Sequence, residues 1–465
     1  MKRNTFAMQY RLSFRHIIII IGLSAIFASC NQDGNIFPTL DDQYDQYGSP
    51  FDSVPETGNI VMYEINLRAY SAAGNIQSII ADLDRLKDIS VNTIWLMPIY
   101  DEGELMAVHS PYCIRDYYQV SDEYGSLQDL QQLTDAAHAR NIAVVLDWVA
   151  NHTSWDNDWI TDHPDWYTQD ADGNIIHPPG TTWTDVADLN FDNQDMRAQM
   201  IDAMKFWVLV GNVDGFRCDY ADGVPFDFWQ QALDSLRNIP DRTLIMLAEG
   251  DRDDHYTAGF DMTYAWDFYG TMQNVYSGSA VSDLYATNNA EYAGVPAGDK
   301  KLRFTTNHDE SAWNATPMVL FNGIDGAVAA SVMTIFLNGV PLIYTGQETG
   351  NTANVPFFSN APINWTLNPE MQLEYKQILN AYSGHQTART GTLTTFSNAD
   401  VYCIKKTLAS DQFVVLVNAR SADVTYTLPT ALKDTEWTDA INGNSVSLGT
   451  ELALTPYQYL LLTNE

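Results

Sequence analysis

Three acidic residues each close a short apolar run: Asp219 after Val213-Asp-Gly-Phe-Arg-Cys, Glu249 after Leu244-Ile-Met-Leu-Ala, and Asp309 after Leu302-Arg-Phe-Thr-Thr-Asn-His. Such runs read as buried strands, and an isolated buried carboxylate is expensive to desolvate or is forced to protonate. A chain that repeats this cost at successive strand ends uses the acids together, which points to an enzyme. Two close carboxylates suit hydrolysis of an acetal bond. One attacks the anomeric carbon while the other, kept protonated, gives a proton to the leaving oxygen, and retaining enzymes hold the pair roughly 5 Å apart. Arg217, two residues before Asp219 and on the same strand face, is placed to keep that aspartate ionised and oriented. Glu249 ends an apolar run that favours a raised pKa. Asp309 can stabilise a cationic transition state and bind sugar hydroxyls, with His152 and His308 as hydrogen-bond partners of a polyol. Asp147, which ends Ile142-Ala-Val-Val-Leu, is a fourth acid in the same kind of position.

Positioning these groups falls to an alternation of short apolar runs and helix-like segments. Ile60–Ile65 precedes Ile76–Ile89, and Val91–Met97 precedes Leu127–Arg140. Ile142–Asp147 precedes a long aromatic loop and the amphipathic Met196–Val210, after which runs at Val213, Leu244, Leu302 and Val340–Tyr344 complete the series. This pattern predicts a parallel sheet with crossover helices. Roughly eight strands, with no glycine-rich dinucleotide or phosphate loop after the first, favour an α/β fold closed as a (β/α)8 TIM barrel, with catalytic groups at the C-terminal strand ends. The barrel is expected over residues 59–385. From 386 to 465 the runs become short and alternating between turn residues, which predicts a C-terminal antiparallel β-sandwich domain. Trp148, Trp155, Trp159, Trp166, Tyr167 and Trp183 crowd the loop after the third strand. Most of them are expected to form a mini-core, although ring faces there could stack on sugars.

A formal charge of -35 argues against nucleic-acid binding, and a neutral substrate fits better. Residues 1–30 read as an export signal: Lys2, Arg3, Arg11 and Arg15 precede an apolar Ile17–Phe27 stretch that ends at Ala28-Ser29-Cys30. A lipoprotein signal is preferred to a plainly cleaved signal or a short membrane anchor. It gives membrane contact only through lipid on Cys30 and an outer-membrane, cell-surface or periplasmic location. Residues 31–58, polar and acidic, read as a flexible tether. Cys113, Cys218 and Cys403 show no metal spacing and read as buried, with at most one disulfide.

Asp147-Trp-Val-Ala-Asn-His152, Gly215-Phe-Arg-Cys-Asp219, Glu249 and Asn307-His-Asp309 resemble the four signature regions of the α-amylase superfamily, glycoside hydrolase family 13. Val186-Ala-Asp-Leu-Asn190 and Gly339-Val-Pro-Leu-Ile-Tyr-Thr-Gly-Gln-Glu348 resemble its two auxiliary regions. The resemblance implies Asp219 as nucleophile, Glu249 as general acid/base and Asp309 as transition-state stabiliser. It implies sugar contacts from Tyr112, by stacking, and from His152, Arg217 and His308, with Asp147 holding Arg217. The insertion at about 151–190 becomes a short form of the family's loop domain. Asn151 and Asp188 match calcium-ligand positions and suit Ca2+ as hard oxygen donors. Asp222-Gly223 stands where many α-amylases carry Lys-His, so the resemblance does not carry over the aglycone-side sugar contact and the backbone calcium contact of that pair. The Asp170-Ala-Asp-Gly-Asn174 run lacks the later acid of a calcium loop and reads as a hairpin turn.

The expected activity is that of a retaining α-glucan hydrolase cleaving α-1,4 bonds of starch or maltodextrins, with no obligatory protein partner. Alternatives within the family are an α-1,6-glucosidase, a cyclomaltodextrin hydrolase or a transglycosylase. Outside it stands a non-catalytic glycan-binding protein, which would ordinarily have lost one of the three acids.

Overall fold

Eight parallel strands close into a barrel: β1 (Met62–Ile65), β2 (Thr93–Leu96), β3 (Ala143–Trp148), β4 (Gly215–Cys218), β5 (Ile245–Ala248), β6 (Met262–Tyr264), β7 (Lys300–Arg303) and β8 (Val340–Tyr344). The structure is a computed structural model and describes residues 44–465. The signal, Cys30 and residues 31–43 of the expected tether lie outside these residues. Among the described residues no helix is long and apolar enough to cross a membrane.

Side chains alternate across each strand, and this two-residue period makes two cores from one sheet. Met62, Trp95, Val145, Leu247, Met262, Tyr264, Leu302 and Val340 pack together inside the barrel. Tyr63, Ile94, Val144, Phe216 and Met246, one residue out of phase with these, pack against the surrounding helices. The inward phase, that of Met62, Val145 and Leu247, carries Glu64, Asp147, Arg217 and Glu249 to the barrel interior at the C-terminal strand ends. Asp147 stands opposite Arg217, and Arg217 opposite Leu247, in the parallel register. Gly215 permits the close approach of β4 to β5: it sits at φ 149°, and a Cβ there would lie 1.9 Å from the Ile245 carbonyl oxygen.

The connection after β3 holds the expected insertion: the strands His152–Ser154 and Val186–Asp188 pair antiparallel, and short helices lie between them. The Asp170–Asn174 run forms a tight hairpin turn. The C-terminal region forms a six-stranded antiparallel sheet beside the pair Val424–Thr427 and Glu451–Leu454, with Val401, Cys403, Leu416 and Trp437 buried between them. Its other face meets the barrel, where Phe413 stacks on Phe336 at 5.4 Å.

Three expectations require correction. β6 has only three residues and follows β5 closely, so it carries no run long enough to stand out in the sequence. Asp309 does not end a strand: β7 stops at Arg303, and Asp309 lies in the first turn of the helix His308–Trp313, whose N-cap Asn307 accepts from the Glu310 amide at 2.8 Å. Residues 44–58 are docked, not a free tether. Phe51 stacks on His138 at 4.4 Å, Tyr44 donates to Asp202 at 2.6 Å, and Asn212 donates to the Ser49 carbonyl at 3.1 Å. Asn212 stands three residues before β4, so this segment crosses the N-terminal floor of the barrel. The interspersed aromatics Tyr44 and Phe51, in an otherwise acidic stretch, supply the burial that ordering the segment requires.

Phe51→Ala should destabilise the protein by about 3 kcal/mol, as for other buried aromatic truncations, and visibly lower Tm in a thermal melt. An unchanged Tm would restore the tether.

Candidate active site

Inward phasing of β4 buries a single guanidinium among carboxylates. Arg217 is fully buried; its Nη1 donates to Asp147 Oδ1 at 2.8 Å and to Asp219 Oδ1 at 2.9 Å, and its Nε donates to Tyr264 at 3.2 Å. Its Nη2 stands 2.9 Å from Glu249 Oε2, which gives Coulomb attraction, but the alignment is too poor for a hydrogen bond and Nη2 remains an unspent donor. Both Asp219 and Glu249 are therefore held against one cation. The Trp95 ring lies 5.0 Å from that cation and shields it from water.

Asp147 spends its oxygens inside the protein, because Oδ2 accepts from Trp95 Nε1 and from the Tyr112 hydroxyl, each at 3.1 Å. A directed chain runs from there. His308 Nε2 donates to the Tyr112 oxygen at 2.8 Å, and His308 Nδ1 donates to Glu64 Oε1 at 2.5 Å. Burial alone would depress His308, but the carboxylates of Asp309 and Glu64 hold it up to about 9, so it stays cationic at neutral pH. His152 is driven the other way by burial, down to about 4. As a neutral ring it donates from Nε2 to the Tyr112 carbonyl at 3.2 Å and accepts at Nδ1 from the Asn151 amide at 3.3 Å.

Burial pushes Asp219 up to about 6 and Glu249 up to about 7, against the opposing pull of Arg217. Asp309 is the most open of the three acids, 38% exposed against 13% and 17% for Asp219 and Glu249. All three line one cavity of about 360 Å³, together with Tyr112, His152 and His308. The structure thus brings together Asp219, Glu249, Asp309, Tyr112, His152 and His308, and places Arg217 and Asp147 directly beneath them. A pocket with one more acidic and one less acidic carboxyl, beside a cationic histidine, can hold a polyol and exchange a proton with it.

Sequence reasoning missed several neighbours. Glu64 carried the same signal as the three acids, an acid inside the apolar run Ile60–Ile65, and lies buried against His308. Tyr264 sits on the unrecognised strand β6. Arg68, also unremarked, donates to the carbonyls of His109 and Phe357 at 2.8 and 2.9 Å and pairs with Glu102 and Glu123, tying together loops of the cavity rim. Most of the aromatic loop is mini-core, with Trp159 edge-on to Trp166 at 5.1 Å, but Trp183 faces the cavity and meets Tyr220 at 4.9 Å. Trp313, Phe357 and Phe358 line the rim in mutual edge contact. Asn151 and Asp188 line a separate cavity of about 280 Å³. Their side-chain oxygens are hard donors that suit Ca2+ but supply only part of the six to eight it takes, and among the described residues no three His, Cys, Asp or Glu side chains cluster as a metal site.

Residues 24–424 match the family model described as the α-amylase catalytic domain. α-Amylase 3 of Dictyoglomus thermophilum is 26% identical over 369 residues, which are 70% of this chain and 71% of that one. Among solved structures, a maltogenic α-amylase from Thermotoga neapolitana superposes with a TM-score of 0.79 at 26% identity, covering 88% of this chain and 99% of its own. An α-amylase from Lactobacillus plantarum gives 0.78 at 28% identity with the same coverage.

The raised Glu249 pKa has a stability sign. A carboxyl that binds its proton more tightly when folded contributes stability that is complete below the unfolded value, near 4.5, and is lost as pH rises through about 7. Glu249→Gln removes this titration. The variant should match the wild type in denaturant melts near pH 4 and exceed it by about 1–3 kcal/mol at pH 8. A gain that does not depend on pH would contradict burial as the cause.

Proposed function

The chain belongs to the α-amylase catalytic-domain family of glycoside hydrolases, and from that premise we propose that it is a retaining α-glucan hydrolase cleaving α-1,4 bonds of starch or maltodextrins. The observation that carries this reading is one buried guanidinium shared by Asp219 and Glu249. Sharing holds the two carboxyls near one another, as the spacing of about 5 Å in a double displacement requires.

In this reading Asp219 attacks the anomeric carbon while the protonated Glu249 gives its proton to the glycosidic oxygen, which leaves with the aglycone. Glu249, now ionised, takes a proton from water as that water attacks the glycosyl-Asp219 ester, and the sugar departs with its configuration retained. Arg217 contacts the nucleophile throughout and offsets the charge it loses and regains. Asp309 holds hydroxyls of the same sugar ring and opposes the developing positive charge with a carboxylate, while His308, both of whose nitrogens are engaged, fixes the Tyr112 hydroxyl beside it. Tyr112 presents its ring to that sugar while its hydroxyl is fixed by Asp147 and His308. His152 contributes shape and packing more than a free hydrogen-bonding nitrogen, since both of its nitrogens are engaged. Trp183 and Tyr220 on one side, and Trp313 with Phe358 on the other, supply ring faces for flanking sugars.

Asp219→Asn should abolish release of reducing sugar from maltoheptaose while leaving the fold intact. Wild-type enzyme should release the α-anomer first, as read by NMR. The nucleophile must be ionised and the acid protonated, so kcat/KM should be bell-shaped, with limbs near about 6 from Asp219 and about 7 from Glu249. Undiminished turnover by Asp219→Asn would sink the assignment. A product profile on maltoheptaose, pullulan and sucrose distinguishes α-1,4 hydrolysis from α-1,6 hydrolysis and from glycosyl transfer.

Two further parts of the reading rest on sequence. Asn151 and Asp188 would hold a structural Ca2+ with backbone carbonyls completing its shell, and Cys30 would carry lipid that anchors an exported enzyme. EDTA should lower Tm and added Ca2+ restore it, and Cys30→Ala should move the protein from the membrane fraction to the soluble one. An EDTA-insensitive Tm removes the calcium, and an unchanged fractionation removes the anchor.

A further inference from the structure

Outside this set of acids, Asp222 and His255 meet behind Glu249. Tyr220, next to Asp219, adopts a left-handed backbone (φ 42°, ψ 45°), which a bulky residue keeps only when its surroundings fix it. Its amide donates to Glu249 Oε2 at 2.7 Å, and the Ala221 amide donates to the Glu249 carbonyl at 2.9 Å. The shape of this loop and the orientation of Glu249 are thus one constraint.

Asp222 reaches from that loop to the one after β5. Its Oδ1 accepts from His255 Nε2 at 2.7 Å, its Oδ2 accepts from the Asp251 amide at 3.3 Å, and its carbonyl accepts from Arg252 Nη1 at 2.9 Å. His255 is fully buried, and its Nδ1 has no partner among the described residues, so the bond to Asp222 is its one side-chain hydrogen bond there. Gly250 lies between Glu249 and Asp251. A Cβ on it would fall 2.2 Å from Asp222 Oδ1 and 2.9 Å from His255 Nε2. The pair fills the space that any side chain at position 250 would need.

We propose that Asp222 and His255 are positioning residues, a clasp between the loops after β4 and β5 that keeps the Tyr220 amide on Glu249 and so sets the direction in which Glu249 delivers its proton. The inference rests on the reading of Glu249 as the proton donor. It also gives a use to the acid that stands where many family members carry a lysine: the side chain is turned inward to its neighbouring loop and braces it.

The test uses the full chain and maltoheptaose. Opening the clasp displaces Glu249 without touching the sugar, so Asp222→Ala should lower kcat by roughly ten- to a hundredfold, the scale of a small misplacement of a reacting group, with KM nearly unchanged. Losing the Tyr220 N–H also removes a bond that favours ionised Glu249, so the basic limb of kcat/KM should move to higher pH. Arg217 and Asp219, Tyr264 on β6 and Asp309 after β7 face Glu249 from the other sides and are unaltered in the variant. Asp222→Asn retains an acceptor for His255 and should stay near wild type. Gly250→Ala drives the same contact apart from the opposite loop and should reproduce the loss even if Asp222→Ala does not fold. Wild-type kcat and basic limb in either disruptive variant overturn the clasp, as does an Asp222→Asn enzyme impaired as deeply as the alanine variant. Turnover retained by Glu249→Gln would overturn instead the reading of Glu249 as proton donor.

Discussion

The site depends on one buried cation. Without Arg217, Asp147, Asp219 and Glu249 would stand as like charges in a space that water barely enters, and each would take up a proton or push its neighbours apart. With it, Asp147 is fully hydrogen-bonded, Asp219 is drawn towards ionisation, and Glu249, whose contact with the guanidinium is misaligned, keeps the higher pKa. Burial raises the two carboxyls by similar amounts, to about 6 for Asp219 and about 7 for Glu249, so the site preserves the ordinary order of aspartate below glutamate. Removing the guanidinium would leave three carboxyls without their shared counter-charge, whereas removing one carboxyl leaves Arg217 paired with the others.

The period of two along each strand made this cluster legible. Arg217 and Asp219 share a face because they are two apart, and the apolar runs that end in Asp147 and Glu249 announce strands whose last inward residue is charged. The barrel followed from counting such runs, and the six family motifs fell in order along them. Glu64 obeys the same rule, but it lies inside its apolar run, one residue before Ile65, and does not close it. By contrast β6 is three residues long, and no pattern can be recognised over so short a span.

Where the chain leaves the sheet, legibility declines. Asp309 reaches the cavity from a helix whose start is fixed by the Asn307 cap, a local hydrogen bond rather than a periodicity. The rim is assembled by contacts between loops far apart in sequence, such as Arg68 with Phe357 and Asp222 with His255, and neither partner signals the other. The docked segment 44–58 shows the same limit: its composition is that of a solvated linker, and two aromatic rings decide otherwise.

The segment that crosses the barrel floor has a mechanical consequence. Force applied to the chain upstream of Tyr44 enters through Phe51 and His138 and the hydrogen bonds to Asn212 and Asp202, all on scaffold helices or at their ends. That load is borne at the opposite end of the barrel from the cavity. Pulling on the N-terminus would strip this strap before it disturbed the loops that hold Glu249, so the mouth keeps its geometry while the floor takes the strain.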